Sequence, residues 1–389
     1  MSYTEQTNRQ FTIEVTTTAL CNLNCTYCFE GEKVNKQRLG DKVVLVKQRI
    51  REVLASDWFA KNYDVLNISF WGGEPTLNGD LIVDVMNEFS NIDNVDFHIY
   101  TNAYDRKRLD KILDAVDTSK LQVQVSYDGK PINDIFRIVS TGKPTSTQVM
   151  ANFRYLAERG IHVSLKSTIP TRSMKGLFKV WKEFEQLYEE MQAVSKNTYV
   201  SYSPTIDYVT DVKDENLGEL IATFRAEMLQ IAAAELEFFK KHKRHLMAWF
   251  NGNDIKGHCA SGAHMLAIDV DGQTYACHGS LYSPNKADMR TSSIESESFV
   301  DEIAHHSGMY QEHIRDVSPI CKGCVATTCM ICPVASLDKS TKETFTDKWT
   351  DRWVNNMCGF YKTFGEIDRT VQSYLAGEIA PNVGPKGEN

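Results

Sequence analysis

The chain has 389 residues, of which 42% are hydrophobic and 24% are charged, and its formal net charge at pH 7 is −8. These values are ordinary for a globular protein with well-filled cores, and the negative charge argues against a general affinity for nucleic-acid phosphate. The sequence contains no run of about 18 apolar residues that would predict a membrane span, and its polar N-terminus lacks the core of a signal peptide. We therefore expect a cytoplasmic protein whose ten cysteines stay reduced and serve metal binding or catalysis rather than disulfides.

Strand-like and helix-like stretches alternate over residues 10–205. In chain order they are strand 11–18, helix 42–55, strand 65–73, helix 80–90, strand 95–103, helix 108–116, strand 121–129, helix 147–159, strand 161–168, helix 173–193 and strand 198–204. About six βα units of this kind predict an α/β fold with parallel strands and helices outside. Because eight units close a full barrel, we expect a partial (β/α)6 TIM-like barrel over 11–205.

The remainder of the chain has a different composition. Bridging helices are predicted within 206–255, and seven of the ten cysteines follow, in a stretch with many turns and few long periodic runs. We expect an α+β domain over 256–376 that cysteine ligation, more than a large core, holds together, with a closing helix at 350–376. The tail 377–389 is expected to be loose.

Three cysteines, Cys21, Cys25 and Cys28, follow the first strand with the spacing C-x3-C-x2-C. Parallel α/β folds present such loops to a ligand, and thiolates suit iron–sulfur clusters, zinc and Cu(I). A four-iron cluster normally takes four cysteines. Three cysteines would leave one iron of such a cluster without a protein ligand. Because a structural metal site is normally closed, this gap suggests that a substrate or cofactor binds there. A zinc knuckle with a distant fourth ligand is the alternative interpretation.

The motif C-x3-C-x-aromatic-C, with Tyr27 before the last cysteine, resembles the signature of radical S-adenosylmethionine (SAM) enzymes, and the resemblance covers 11–205. It implies a [4Fe–4S] cluster whose open iron binds the amino and carboxylate groups of SAM. It also implies a 5′-deoxyadenosyl radical that abstracts a hydrogen atom from the substrate.

The same resemblance implies a SAM pocket at the ends of the next strands. The motif "WGGEP" (71–75) would hold the ammonium of SAM, since glycines let backbone carbonyls approach closely and Glu74 supplies negative charge. "YTNA" (100–103) would lie near the ribose, with Ala103 in place of the family's glycine, and Ser126 and Arg137 would bind the carboxylate. The implied pocket residues are Tyr27, Gly72, Gly73, Glu74, Pro75, Asn102, Ser126 and Arg137.

The later cysteines resemble the SPASM extension of radical SAM enzymes that modify peptides and proteins, although both later gaps within 321–332 are one residue shorter than usual. The resemblance implies two auxiliary four-iron clusters, and thus three clusters in all. The ligands of the first would be Cys259, Cys277 and Cys332, and those of the second Cys321, Cys324, Cys329 and Cys358. The first is one thiol short, and His258, His264 and His278 are nearby candidates for its remaining ligand. Zinc bound by the two C-x2-C pairs is the alternative.

All ten cysteines are then allocated, so no thiol remains to return a hydrogen atom to a substrate. This disfavours epimerisation and favours net oxidation or bond formation. Sulfatase-maturing enzymes commonly have an aspartate directly after the cysteine of G-x4-C, whereas this chain has His278, a candidate base near neutral pH. The Cys-His pair looks more like maturases of ribosomally made peptides.

We therefore predict a peptide- or protein-modifying radical SAM enzyme that forms a thioether or C–C cross-link or cleaves a backbone. Formylglycine formation on a sulfatase, modification of a small molecule, and a non-catalytic zinc scaffold are the alternatives. Expected partners are a peptide or protein substrate and an external electron donor of the flavodoxin or ferredoxin type. Because only about ten residues precede the first strand, we also consider a separate leader-binding protein.

Overall fold

A computed structural model describes residues 9–28, 38–171, 174–207, 214–250, 261–281, 286–315, 324–327, 329 and 357–377. Five parallel strands stand side by side in chain order: β1 (Gln10–Thr18), β2 (Val65–Gly72), β3 (Val95–Thr101), β4 (Leu121–Ser126) and β5 (His162–Ile169). The predicted strand at 198–204 is instead two short strands, β6 (Thr198–Tyr199) and β7 (Pro204–Ile206), which both pair with β5. The predicted α/β fold with parallel strands is confirmed.

Helices connect the strands and cover one side of the sheet. They are α1 (Val43–Leu54), α2 (Asp57–Asn62), α3 (Gly79–Phe89), α4 (Arg106–Leu113), α5 (Lys130–Phe136), α6 (Ser146–Glu158) and α7 (Leu177–Val194). Apolar side chains at alternate strand positions, such as Val95, Phe97 and Ile99 of β3, are buried with these helices in one core. Within the described ranges, no helix is long and apolar enough to cross a membrane.

The opposite side of the sheet is polar, because the strand residues between the apolar ones point there. We call this side the inner face. Its polar and aromatic residues, aligned across the strands by their register, are Thr12, Glu14, Thr16, Asn67, Ser69, Trp71, Asp96, His98, Tyr100, Gln122, Gln124, Ser126, His162, Ser164, Lys166 and Thr168. Parallel sheets are usually apolar on both faces. A polar inner face therefore indicates a ligand-binding interior.

The C-terminal region continues the same sheet. Strand β8 (Met265–Ile268) pairs in parallel with β1, and β9 (Gln273–Tyr275) and β10 (Arg290–Ser293) follow as antiparallel strands. No local sequence pattern predicts this pairing. The remaining described helices are α8 (Asp214–His242), α9 (His278–Leu281), α10 (Phe299–Arg315) and α11 (Cys358–Leu375).

Helix α8 is attached to the barrel through one buried carboxylate, that of Glu235. It accepts hydrogen bonds from Trp181 Nε1 on α7 (2.6 Å) and from His245 Nδ1 (3.0 Å). It also accepts the backbone N–H groups of Leu246 (3.1 Å) and Met247 (2.6 Å). Glu235 and Trp181 are fully buried, so each donor would lose its partner without access to water if this carboxylate were removed.

We predict that Glu235→Ala lowers the free energy of unfolding by about 3 kcal/mol, because buried donors left unpaired are costly. Urea denaturation followed by circular dichroism measures the change. Glu237→Ala is the matched control on the same helix, since Glu237 is exposed and, among the described residues, forms an ion pair with Lys240. Equal effects of the two substitutions would contradict the role assigned to Glu235.

Candidate functional site

The first three cysteines lie on a loop at the end of β1, residues 19–28, which we call the cysteine loop. The N–H of Gly73 donates to Thr18 O (3.0 Å), and the N–H of Glu74 donates to Leu20 O (2.8 Å). A β-carbon at Gly72 or Gly73 would overlap these carbonyl oxygens. The close approach that the two glycines permit is therefore the approach of the cysteine loop to the end of β2.

The other side of the cysteine loop rests on the end of α5. Asn24 N–H donates to Ile138 O (2.7 Å) and Thr26 N–H donates to Phe136 O (2.9 Å). Two separate parts of the barrel thus fix the backbone on both sides of Cys25. All three thiols are half-buried and none is in a disulfide. Such a loop holds its thiols in place before a ligand arrives.

Hydrogen-bond donors point at one of these sulfur atoms. Cys21 Sγ lies 3.4 Å from Leu23 N and 3.8 Å from Asn102 Nδ2. Asn102 Nδ2 also donates to Asn22 Oδ1 (2.8 Å), which ties the end of β3 to the loop. Donors of this kind stabilise thiolates and tune the potentials of clusters that the thiolates bind.

Glu74 is buried and organises the neighbouring strand ends. Its carboxylate accepts hydrogen bonds from the hydroxyl groups of Thr76 and Thr101 (2.7 Å each) and from Asn102 N–H (2.8 Å). Burial raises the pKa of the Glu74 carboxyl, while these hydrogen bonds act to lower it. The next residue, Pro75, accepts a hydrogen bond from Thr17 Oγ1 (3.2 Å). Glu74 therefore fixes Asn102 against the cysteine loop.

Tyr27, Asp128 and Arg137 form a buried chain beside Cys25. Tyr27 donates to the Asp128 carboxylate, and Arg137 Nη1 donates to the Tyr27 hydroxyl (3.0 Å). Burial raises the pKa of Asp128, and the nearby Arg137 guanidinium opposes that shift. Arg137 Nε is buried without a hydrogen-bond partner among the described residues. One guanidinium N–H thus remains for a ligand.

Ser126, the last residue of β4, lies on the inner face in register with Lys166. The structure brings the other expected pocket residues into direct contact with the cysteine loop or with residues bonded to it. Ser126 makes neither kind of contact in the described residues, but it lies two residues before Asp128, which accepts the hydrogen bond from Tyr27 of the loop. Asp128 was not identified as a binding residue from the sequence, because the pair Asp128-Gly129 is typical of a tight turn.

His278 reaches the inner face from the C-terminal region. Its Nδ1 lies 2.8 Å and 2.9 Å from the two carboxylate oxygens of Glu14, and its backbone N–H donates to the same carboxylate (3.0 Å). The imidazole stacks on Trp71, with ring centroids 4.0 Å apart. Glu14 is almost fully buried. An acid inside the apolar strand "FTIEVTTT" was the sequence signal for this partner, because buried carboxylates need one.

The structure describes four of the seven later cysteines. Cys277 is buried next to His278, Cys324 and Cys329 are half-buried, and Cys358 is the first residue of α11. Gly365 of α11 lies so close to Val325 and Ala326 that a β-carbon would overlap their backbone. The Cys324 segment therefore packs on the helix that begins with Cys358. Cys259, Cys321, Cys332 and also His258 lie outside the described residues.

The residues around the cysteine loop fit a four-iron cluster with SAM. Their donor set comprises three half-buried thiols, N–H donors to Cys21 Sγ, and the buried Arg137 Nε–H, which has no partner among the described residues. Within the described ranges no three His, Cys, Asp or Glu side chains are placed to share one metal ion, whereas each thiolate of a four-iron cluster binds a different iron. Buried polar atoms of the inner face, among them Thr16 Oγ1, Asn67 Oδ1, Ser69 Oγ and His98 Nε2, also lack partners among the described residues.

Curated proteins that are similar in sequence to this chain include the following two. One is an uncharacterised protein of Methanocaldococcus jannaschii, 31% identical over 157 residues, which are 40% of this chain and 51% of that protein. The chain thus spans about half the length of that relative. The other is a cysteine-type anaerobic sulfatase-maturating enzyme of Clostridium novyi, 22% identical over 284 residues, 66% of this chain and 70% of that enzyme.

Two solved structures share the fold. The enzyme anSMEcpe, with bound AdoMet and the Kp18Cys peptide, has a TM-score of 0.67 at 17% identity, over 95% of this chain and 99% of that one. Streptococcus suis SuiB bound to the precursor peptide SuiA has a TM-score of 0.56 at 14% identity, over 87% of this chain and 75% of that one. Residues 15–191 match the model of the Radical SAM superfamily. This part of the chain, residues 15–191, is therefore a radical SAM domain.

Proposed function

We propose that the chain is a radical SAM maturase that oxidatively modifies a peptide or protein in the cytoplasm. The observation that carries the proposal is the cysteine loop, which presents three thiols beside a polar inner face. When bound, a [4Fe–4S] cluster with SAM supplies the 5′-deoxyadenosyl radical that abstracts a hydrogen atom from the substrate. Cys21, Cys25 and Cys28 would hold that cluster.

The SAM pocket is proposed from the residues that contact the cysteine loop. Glu74 and Asn102 would order the loop and the end of β3, and Gly72 and Gly73 let the loop lie on the end of β2. Arg137 would direct its unpartnered Nε–H at the carboxylate of SAM, with Ser126 as a second donor. This assignment is supported by the position of Arg137 next to Tyr27 and Cys25.

His278 is proposed as the base that accepts a proton from the substrate. The adjacent Glu14 carboxylate accepts the Nδ1–H, fixes the orientation of the ring and would stabilise the imidazolium, as paired carboxylates do in other enzymes. Oxidation of the substrate is then balanced by three transfers. The substrate would lose a hydrogen atom to the radical that bound SAM supplies and a proton to His278, and a bound auxiliary cluster would be the acceptor of the remaining electron.

Two auxiliary clusters are part of the proposal. Cys259, Cys277 and Cys332 would hold one, and Cys321, Cys324, Cys329 and Cys358 the other. The packing of the Cys324 segment on the helix that begins with Cys358 supports the second set. A flavodoxin- or ferredoxin-type protein would supply electrons, and a separate leader-binding protein would present the substrate.

Peptide substrates are supported by the structural neighbours, whose solved forms contain the Kp18Cys and SuiA peptides. The relative from Clostridium novyi favours a second candidate, formylglycine formation on a sulfatase. Mass spectrometry of candidate peptides after anaerobic reaction separates the two. A cross-link or cleaved backbone supports the first candidate, and an aldehyde formed from a cysteine of a sulfatase peptide supports the second.

We predict about twelve irons per reconstituted chain, since three four-iron clusters are proposed. Cys25→Ala should remove about four of them and abolish production of 5′-deoxyadenosine, because the SAM-binding cluster is lost. Cys324→Ala should retain part of the SAM cleavage but lose product. Iron analysis and chromatography of 5′-deoxyadenosine measure both effects. A Cys25→Ala protein that still cleaves SAM would refute the assignment.

Glu74→Gln is predicted to weaken SAM binding about tenfold, because an amide cannot accept all the hydrogen bonds that the buried carboxylate accepts. The Asn102 segment would then shift away from the cysteine loop. Equilibrium dialysis with labelled SAM, under anaerobic conditions, measures the dissociation constant. Glu158→Gln on the exposed side of α6 is the control and should bind SAM like the unaltered protein.

His278→Ala is predicted to reduce product formation by about a hundredfold or more, as expected for loss of a general base. SAM cleavage in the absence of substrate should stay within about threefold, since the SAM-cleaving residues are untouched. Both rates are measured by mass spectrometry with the same protein preparation. If the substitution instead removes four irons, His278 is a cluster ligand and not a base.

A further inference from the structure

Lys166 occupies a distinctive position on the inner face. The register pairs it with Ser126, so both side chains leave the sheet on the same side. Two residues further along β5, Thr168 donates its N–H to the Asp128 carboxylate (2.8 Å), which in turn accepts the Tyr27 hydroxyl. Lys166 therefore lies at the end of the barrel that carries the cysteine loop.

Around Lys166 the inner face carries polar side chains that have no hydrogen-bond partner among the described residues. The register also pairs Gln124 with Ser164, one step below Ser126 and Lys166. In the part of the chain that the structure describes, the side chains of these four residues make no hydrogen bond or ion pair. Their donors therefore face the interior of the barrel with no protein acceptor in the described ranges.

Two buried arginines among the described residues have acidic or phenolic partners. Arg49 pairs with Glu52 (2.5 Å), and Arg137 donates to Tyr27 beside Asp128. Lys166 has no such partner among the described residues, and burial alone lowers its pKa to about 8. At neutral pH it still carries its charge for most of the time. A half-buried ammonium without an acidic partner among the described residues is suited to bind an anionic group of a ligand.

We propose that Lys166 and Ser164 form a carboxylate-binding subsite for the substrate of the proposed reaction. The ligand class is a peptide with an acidic side chain, or a C-terminal carboxylate, close to the modified residue. This inference rests on the proposed function, because the substrate must enter the barrel to meet both the radical and Lys166.

The distribution of charge on the inner face favours the substrate over SAM as the source of the carboxylate. Arg137 is the cation that contacts the cysteine loop, through Tyr27, whereas Lys166 bonds to no described residue of that loop. Glu14 and Asp96 lie on β1 and β3 of the same face. A substrate carboxylate is repelled from those strands and attracted to β5, which sets the direction in which the peptide lies.

Chemical labelling of Lys166 in the full, anaerobically reconstituted chain tests the proposal. The probes are two N-acetylated, C-amidated tripeptides, Ala-Glu-Ala and Ala-Gln-Ala, and the reaction is reductive methylation followed by mass spectrometry. The Glu tripeptide should slow methylation of Lys166 about threefold or more at concentrations where the Gln tripeptide has no effect, since only a carboxylate pairs with the ammonium. Exposed Lys130 is the internal control and should react at the same rate throughout.

Equal protection by the two tripeptides would overturn the proposal. Protection of Lys166 by SAM alone, to the extent seen with the Glu tripeptide, would also overturn it and assign the carboxylate to SAM. Because methylation needs no turnover, a chain that fails to cleave SAM but shows selective protection refutes the proposed function and not the subsite.

Variants supply a second readout. K166M should abolish binding of the Glu tripeptide in saturation-transfer NMR, while K166R, which keeps the charge, and the control K130M should retain it. The SAM dissociation constant should be unchanged in all three variants. Binding of the Glu tripeptide by a folded K166M protein, or loss of SAM affinity in that protein, would contradict the assignment.

Discussion

The site depends on how tightly the cysteine loop is held. Its backbone hydrogen-bonds to Gly73 and Glu74 at the end of β2 on one side and to Phe136 and Ile138 on the other. A β-carbon at Gly72 would overlap Thr18 at the end of β1, and one at Gly73 would overlap Ala19 and Leu20 of the loop. These positions must therefore lack a β-carbon for the loop to lie where it does. The three thiols are thereby positioned by the fold itself, and a ligand needs to order little of the chain when it binds.

A second consequence follows from the alternation of the parallel strands. Their outer residues fill a continuous apolar core, so the barrel does not rely on its interior for stability. The inner face is therefore able to carry Glu14, His98 and Lys166, which an ordinary parallel sheet would exclude. β8 pairs with β1 and brings His278 to Glu14. The C-terminal region thus places His278 on the inner face of the barrel through continuation of one sheet.

Much of this arrangement could be predicted from local sequence patterns. The alternation of helical and extended stretches gives parallel strands in chain order, and the cysteine spacing with "WGGEP" gives the position of the site. The break in the predicted strand 198–204 was missed, although Pro204, which lacks a backbone donor, begins β7 at that point. Partners distant in the chain could not be predicted. Glu14 within an apolar strand indicates that it has a partner, but neither the identity of that partner, His278, nor the pairing of β8 with β1 has a local signal, because both join segments about 250 residues apart.

The central claim is that the polypeptide leaves one iron of the N-terminal cluster open and that SAM occupies it. Electron–nuclear double resonance of the reduced protein with SAM labelled at its amino nitrogen and carboxylate oxygen tests this claim directly. The account predicts hyperfine couplings from both labelled atoms, as expected for direct coordination to iron. A reduced cluster that shows neither coupling while SAM is bound would contradict it.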